Sequence, residues 1–150
     1  MRSALFCLLA ALCAAPLTSC SNSPTTASSS APYSQLDLLL GTGTQAATGN
    51  TLTVNYTGWL FDATKPDSKG LLFDTSVGKD PFTFVLGTQS VIAGWDRGLV
   101  GMKVGGIRRL VIPPSLAYGD IRNHSIPPYS TLVFEVELLT VQTATGSGGA

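Results

Sequence analysis

Between Thr131 and Thr140 the chain places Leu132, Phe134, Val136 and Leu138 at every second position. A period of two belongs to a strand that buries one face, and a helix of the same composition would scatter these residues around its surface. The chain must therefore build a sheet with one face covered. Other runs agree. Leu52, Val54 and Tyr56 alternate with Thr51, Thr53 and Asn55, and Phe82 and Phe84 flank Thr83. Ile107–Ile112 fits another strand, with Arg108 and Arg109 marking imperfect alternation. Leu36–Leu40 reads as a further strand, although Leu38-Leu39-Leu40 alone also fits a helix. One short helix fits between them, because Ile92, Trp95 and Leu99 stand at i, i+3 and i+7. Gly105-Gly106 turns the chain back into strand, and Pro113-Pro114 and Pro127-Pro128 bracket a long loop. This order predicts an α+β domain, an antiparallel β-sheet wrapped around one short α-helix.

The ends have a different composition. Arg2 precedes an almost wholly apolar run from Ala4 to Ala15, and Leu17-Thr18-Ser19-Cys20 follows. The run is shorter than the roughly 20 residues of a bilayer-spanning helix and has the layout of an export signal. A cysteine at the cleavage point makes it resemble a bacterial lipoprotein signal. That resemblance implies that Cys20 carries the lipid as the first residue of the mature chain. The alternative is an ordinary secretory signal with an incidental cysteine. The expected division is a signal peptide over 1–19, a lipidated Cys and flexible Ser/Thr-rich tether over 20–35, the folded domain over 36–141 and a disordered tail over 142–150. The expected location is outside the cytoplasm, anchored to a membrane by lipid. The outer membrane facing the periplasm, or the cell surface, fits best, because Ser21 is not the Asp that retains many Gram-negative lipoproteins at the inner membrane.

Composition removes most chemistries. Nine basic and nine acidic residues balance, and no Lys/Arg run exists, so nucleic-acid binding has no electrostatic footprint. Cys7 and Cys13 fall in the signal, which leaves the domain without a disulfide or a reactive thiol. His124 is the single histidine and lies in the Pro-rich loop. No Ser/His/Asp set, metal cluster or phosphate-cradling loop can be assembled, so neither metal nor cofactor is expected. Aromatic residues do recur beside strands and turns: Tyr56, Trp59, Phe73, Phe82, Phe84, Trp95, Tyr118 and Phe134. Each could simply fill the core of a small β domain.

Taken in order, seven blocks resemble the FKBP-type peptidyl-prolyl cis–trans isomerases: Val54–Gly58 (VNYTG), Leu72–Ser76 (LFDTS), Pro81–Gly87 (PFTFVLG), Val91–Gly98 (VIAGWDRG), Met102–Gly106 (MKVGG), Ile112–Gly119 (IPPSLAYG) and Ile126–Leu138 (IPPYSTLVFEVEL). The resemblance implies a substrate pocket with Trp95 as floor and Tyr56, Phe73, Phe82 and Phe134 as walls. It implies that Val91 and Ile92 line a rim, with the Ile92 N–H as a donor to substrate. Asp74 and Tyr118 would stand at the mouth, and Ile126 would close the side nearest the loop. It also implies proline-containing polypeptides as substrates, macrolide inhibitors as ligands and a monomeric state.

The absence of reactive groups suits that activity. Turning an X–Pro bond twists a resonance-stabilised amide and makes or breaks no bond. The rival readings are a non-catalytic module that binds proline-containing segments or a partner protein, and a holdase chaperone. Two stretches depart from the family pattern. Residues 60–72 are longer than in the shortest members, with Lys65-Pro66-Asp67 reading as a turn in a surface insertion. Asp120–Ile126 lacks the family's usual Gly-rich sequence, which bears on pocket closure and macrolide affinity.

Overall fold

The computed structural model describes residues 30–143. The expected signal peptide, Cys20, most of the tether and all but the first two residues of the expected tail lie outside the described residues. Six strands form one antiparallel sheet: β1 (Ser34–Leu39), β2 (Thr51–Phe61), β3 (Lys69–Thr75), β4 (Phe82–Val85), β5 (Ile107–Ile112) and β6 (Leu132–Gln142). Their order is β1-β5-β6-β2-β3, and β4 also pairs with β2. The two long strands β2 and β6 form the centre, aligned from Thr51 opposite Gln142 to Leu60 opposite Leu132. The far edge of β2 is shared: β4 pairs with its first half and β3 with its second. A six-residue helix, α1 (Ala93–Gly98), packs on the concave face of the sheet.

The alternating residues supply that face. Leu52, Val54, Leu110, Ile112, Leu132, Phe134, Val136 and Leu138 are all buried, and Trp95 and Leu99 from α1 and its cap meet them. Ile92, third member of the expected stripe, is the N-cap of α1. The helix is too short to be stable alone, so its packing against the sheet supplies its stability. Gly94 and Gly98 allow the close approach. A Cβ at Gly98 would lie 2.6 Å from the Tyr33 hydroxyl and 2.7 Å from Leu110.

Four details differ from the sequence-based expectations. The first strand starts at Ser34, inside the stretch read as tether, and Tyr33 before it packs on the core with the Arg97 guanidinium over its ring at 4.8 Å. β3 is a strand that no alternation announced. β5 alternates without interruption, since Arg108 points inward like Leu110 and Ile112 and is 7% exposed. A buried guanidinium requires full pairing. Asp37 accepts from its Nε and Nη2, and the carbonyls of Gly98 and Val100 accept from Nη1 at 2.7 and 3.3 Å. Arg108 thereby joins the edge strand to the end of α1.

The fourth difference is the insertion. It holds a short 3-10 turn, Pro66–Ser68, and it folds back on the convex face of the sheet. Asp67 accepts from Arg109 at 3.0 Å, Glu135 accepts from Arg109 at 2.8 Å, and the Lys69 ammonium sits 2.7 Å from Glu135 and 4.5 Å from the centre of the Trp59 ring. Burial pushes the Glu135 carboxyl up, but hydrogen bonds from Lys69 and Arg109 and their charges outweigh it and hold the group below the ordinary 4.5. A depressed carboxyl contributes stability that is present above its unfolded value and is lost as pH falls through the folded one. Glu135→Gln is therefore expected to lower stability by roughly 1 kcal/mol at pH 7, the scale of a partly exposed network. Urea midpoints of variant and wild type should converge as pH falls from 4.5 toward 3. A gap that stays constant down to pH 3 would exclude a charge-based contribution.

Candidate active site

Six separate segments converge above Trp95. Tyr56 comes from β2, Phe73 and Asp74 from β3, Phe82 from β4 and Phe134 from β6. Val91 and Ile92 come from the turn before α1, and Tyr118 from the loop after β5. Together with Ser90 they line a pocket of about 190 Å³. The strand period places Tyr56 and Phe134 on the concave face, two residues along from Val54 and Val136 respectively. Between them lies Gly58, opposite Phe134 in the ladder. A Cβ there would stand 2.6 Å from Phe73 and 2.8 Å from Phe134, so a side chain at 58 would displace both rings.

The aromatic rings brace each other edge to face. Tyr56 and Phe134 each lie 5.3 Å from Trp95 at interplanar angles of 78° and 85°, and Phe73 meets Phe134 at 5.5 Å and 87°. Phe82 stacks on Phe84 at 5.6 Å and stays 40% exposed at the mouth. Such contacts add about 0.5–1.5 kcal/mol per pair beyond burial. Trp95 is 4% exposed, and its indole nitrogen is buried with no hydrogen-bond partner. The floor thus offers a flat aromatic surface that carries one unpaired N–H.

Polar groups stand at the rim. The Tyr56 hydroxyl donates to Asp74 Oδ2 at 2.5 Å, and Asp74 Oδ1 accepts from the Thr75 N–H at 2.8 Å. Burial raises the Tyr56 pKa well above the ordinary tyrosine value of 10, and the hydrogen bond to Asp74 and the charges of Asp74 and Tyr118 raise it further. Burial also raises Tyr118, a hydrogen bond with Asn123 opposes that, and the Asp74 charge adds to it. Both phenols keep their protons at neutral pH. The Ile92 carbonyl accepts from Trp95 and Asp96, whereas its N–H donates to no group among the described residues. The turn carrying it is pinned by Asp96, whose carboxylate accepts from the N–H groups of Gly87 at 2.7 Å and Gln89 at 2.9 Å. Asp96 and Ser90 are contributors that the motif reading passed over. Asp96 was visible in the Trp95-Asp96-Arg97 run, but nothing in sequence tells a loop-pinning carboxylate from a solvated one.

Of the ten residues expected at the site, nine line this pocket. Ile126 does not. It is buried under the 120–126 loop, where Asn123 and Ile126 exchange backbone hydrogen bonds of 3.1 and 2.8 Å around a turn through His124 and Ser125. Ile126 instead lines an adjoining cleft of about 470 Å³ with Asn123, His124, Ser125, Asp74 and Tyr118. His124 is turned to Asn123, its Nδ1 2.6 Å from the amide oxygen, and lies outside the main pocket. A second cleft of about 590 Å³ opens beyond the Val91–Ile92 rim toward Asp96 and Arg97. Among the described residues no group of three or more His, Cys, Asp or Glu is placed to hold a metal ion.

Comparison with known proteins gives one consistent result. The profile of the FKBP-type peptidyl-prolyl cis-trans isomerase family matches residues 42–139. An FK506-binding protein of Neisseria meningitidis serogroup B is 48% identical over 107 residues, 70% of this chain and 92% of its own. The peptidyl-prolyl cis-trans isomerase FKBP53 of Arabidopsis thaliana is 48% identical over 101 residues, 67% of this chain and 20% of its own. Among solved structures, FkpA from Escherichia coli superposes with a TM-score of 0.62 at 43% identity, covering 75% of this chain and 49% of that longer one. AtFKBP13 superposes with a TM-score of 0.62 at 35% identity, covering 72% of this chain and 91% of its own. The antiparallel sheet around one short helix is the fold of these neighbours, and the chain belongs to the family of FKBP-type peptidyl-prolyl cis–trans isomerases.

Proposed function

We propose that this chain catalyses cis–trans isomerisation of prolyl bonds in exported polypeptides, without covalent chemistry, in the pocket above Trp95. The observation that carries this reading is the pairing of a closed apolar floor with an unengaged N–H at the rim. A proline ring fits the aromatic walls. The flanking carbonyl of the client accepts from Ile92 N–H, and the rest of the client runs into the two adjoining clefts. The pocket is smaller than the roughly 300–1,000 Å³ of a drug-sized site. A macrolide inhibitor of the family would therefore occupy one of the clefts as well.

The physics follows from the amide. The barrier to rotation is about 18–20 kcal/mol, and the planar form is the more polar one because resonance places charge on O and N. Twisting discharges the amide. A water-poor aromatic pocket disfavours the planar ground state more than the twisted transition state. A thousandfold acceleration needs only about 4 kcal/mol of such differential binding. The Tyr56–Asp74 hydrogen bond holds the wall and keeps the phenol from engaging the amide oxygen in the ground state.

The export signal and Cys20 place this activity, in the same proposal, at a membrane outside the cytoplasm, with the anchor supplied by lipid. The rival is a module on the same fold that binds proline-containing segments without turnover. The two separate when turnover and peptide binding are measured on the same variants. Trp95→Leu keeps much of the buried volume, so the fold should survive at a cost of about 1–3 kcal/mol, while kcat/KM for a prolyl tetrapeptide falls at least tenfold. Asp74→Ala should lower kcat/KM with less loss of stability. Tyr118→Phe should cost about one hydrogen bond, 0.5–1.5 kcal/mol in kcat/KM. A binding module would leave isomerisation at the uncatalysed rate in wild type and variants alike.

The pH profile provides a separate check. Burial raises both pocket phenols above the ordinary tyrosine value, and no proton is transferred in the proposed step. Between pH 6 and 8 kcat/KM should therefore vary by less than about twofold, across the window in which an imidazole titrates. His124→Ala should keep at least half the activity. A bell-shaped profile, or a hundredfold loss in that variant, would place the chemistry elsewhere.

A further inference from the structure

Strand β1 is one edge of the sheet. It pairs with β5 on one side and with no strand on the other among the described residues. Every residue of it is exposed, Ser34, Gln35 and Asp37 as well as three leucines: Leu36 at 59%, Leu38 at 42%, Leu39 at 53% and, just past its end, Leu40 at 76%. Asp37 is the single acidic residue in the strand, and Arg108 neutralises it. An edge strand is usually blunted by charge or proline, so four leucines on one edge call for a partner.

Two observations indicate its chemistry. Lys103 lines the same shallow hollow as Leu39 and Leu40, is exposed, and makes no ion pair among the described residues. Alkyl side chains beside a free ammonium match an interface of acyl chains and anionic headgroups. The ladder also slips between Asp37 and Leu39, a bulge that stops a second copy of the chain from zipping along the whole edge. The covalent chain then brings the edge to such a surface. Cys20 stands fourteen residues before Ser34, a span of about 50 Å at most, and β1 is the first folded element after it.

We propose that the leucine edge of β1, together with Lys103, docks on the anionic membrane surface to which Cys20 tethers the chain. This rests on the lipid-anchor reading above. It sets the orientation of the enzyme. β3, which carries Phe73 and Asp74, ends the sheet four strand spacings from β1, about 19 Å away. Docking by β1 leaves the β3 side of the pocket farthest from the bilayer, facing clients in solution.

The test uses the full chain, produced with its own signal and reconstituted in vesicles of phosphatidylethanolamine and phosphatidylglycerol (3:1). An environment-sensitive NBD fluorophore is attached at Leu40→Cys, or at Lys65→Cys in the insertion as a control. With vesicles, the label at 40 should shift to the blue, brighten at least twofold and be quenched by nitroxide-bearing lipid. The label at 65 should do neither. Leu36→Ser/Leu39→Ser and Lys103→Glu, each added to the label at 40, should each cut the brightening at least threefold and leave turnover of a soluble prolyl peptide unchanged. Protein that takes up a fatty-acid label and floats with vesicles, but whose label at 40 stays water-like, would overturn the docking and leave the anchor standing. Protein that takes up no fatty acid would overturn both. A blue shift that depends on protein concentration, resists lipid quenching and accompanies dimer formation would assign the edge to a second copy instead.

Discussion

Burial of Trp95 against the concave face of the sheet is the contact on which the molecule depends. It is the largest side chain of a helix too short to stand alone, and it meets Tyr56, Phe84 and Phe134 at once. With no cysteine between Ser30 and Thr143, apolar packing has to supply the stability. The same ring is the floor of the pocket. Core and site are therefore one packed unit, and the rigidity of the floor comes from interior packing density rather than from loop contacts. Few substitutions at Trp95 could alter the site without being felt in the fold.

Around that floor, positioning is divided between a glycine and two carboxylates. Gly58 lets the Phe73 and Phe134 rings lie directly on β2. Asp96 pins the Gly87 and Gln89 N–H groups and so fixes the rim turn that presents Ile92. Asp74 fixes the Tyr56 hydroxyl. Each works by holding another group in place, which suits a site whose proposed task is to bind one shape of an amide better than another. Preorganised apolar walls need no proton transfer, and the raised phenols of Tyr56 and Tyr118 agree with that.

Much of this was legible in sequence wherever one rule governed one segment. β5, and β6 from Phe134 to Leu138, follow the period of two because one face of each is buried and the other is not. Nine of the ten residues that the ordered motifs point to stand together around one cavity. The misses have physical causes. β3 pairs with β2 through two register slips and lies at a sheet edge, so its burial does not alternate and its sequence carries no period. Arg108 looked like a break in a pattern because its partners, Asp37 and the carbonyls of Gly98 and Val100, come from segments distant in sequence or from backbone. Ile126 was assigned to the pocket from its place in a motif, but the tight turn through His124 and Ser125 tucks it beneath the loop.

The insertion over 60–72 shows the same principle from the opposite face. Read alone, Lys65-Pro66-Asp67 is a surface turn. In the fold, Asp67 and Lys69 reach Arg109 and Glu135 on β5 and β6, while the site lies across the sheet on the concave side. Successive residues of each strand serve the two faces: in β5, Arg108 and Leu110 point to the core and Arg109 to the insertion, and in β6, Phe134 points to the pocket and Glu135 to the ion network. The sheet thus separates them physically. Charge can accumulate on the convex face without entering the apolar pocket, because the backbone and side chains of β2, β5 and β6 stand between. Sequence length in the insertion is then free to vary with little effect on the floor and walls, as long as the residue opposite Arg109 and Glu135 keeps the charges paired. The 120–126 loop has no such separation. Its Asn123 lines the adjoining cleft and hydrogen-bonds Tyr118 at the pocket rim, so sequence change there acts on the mouth.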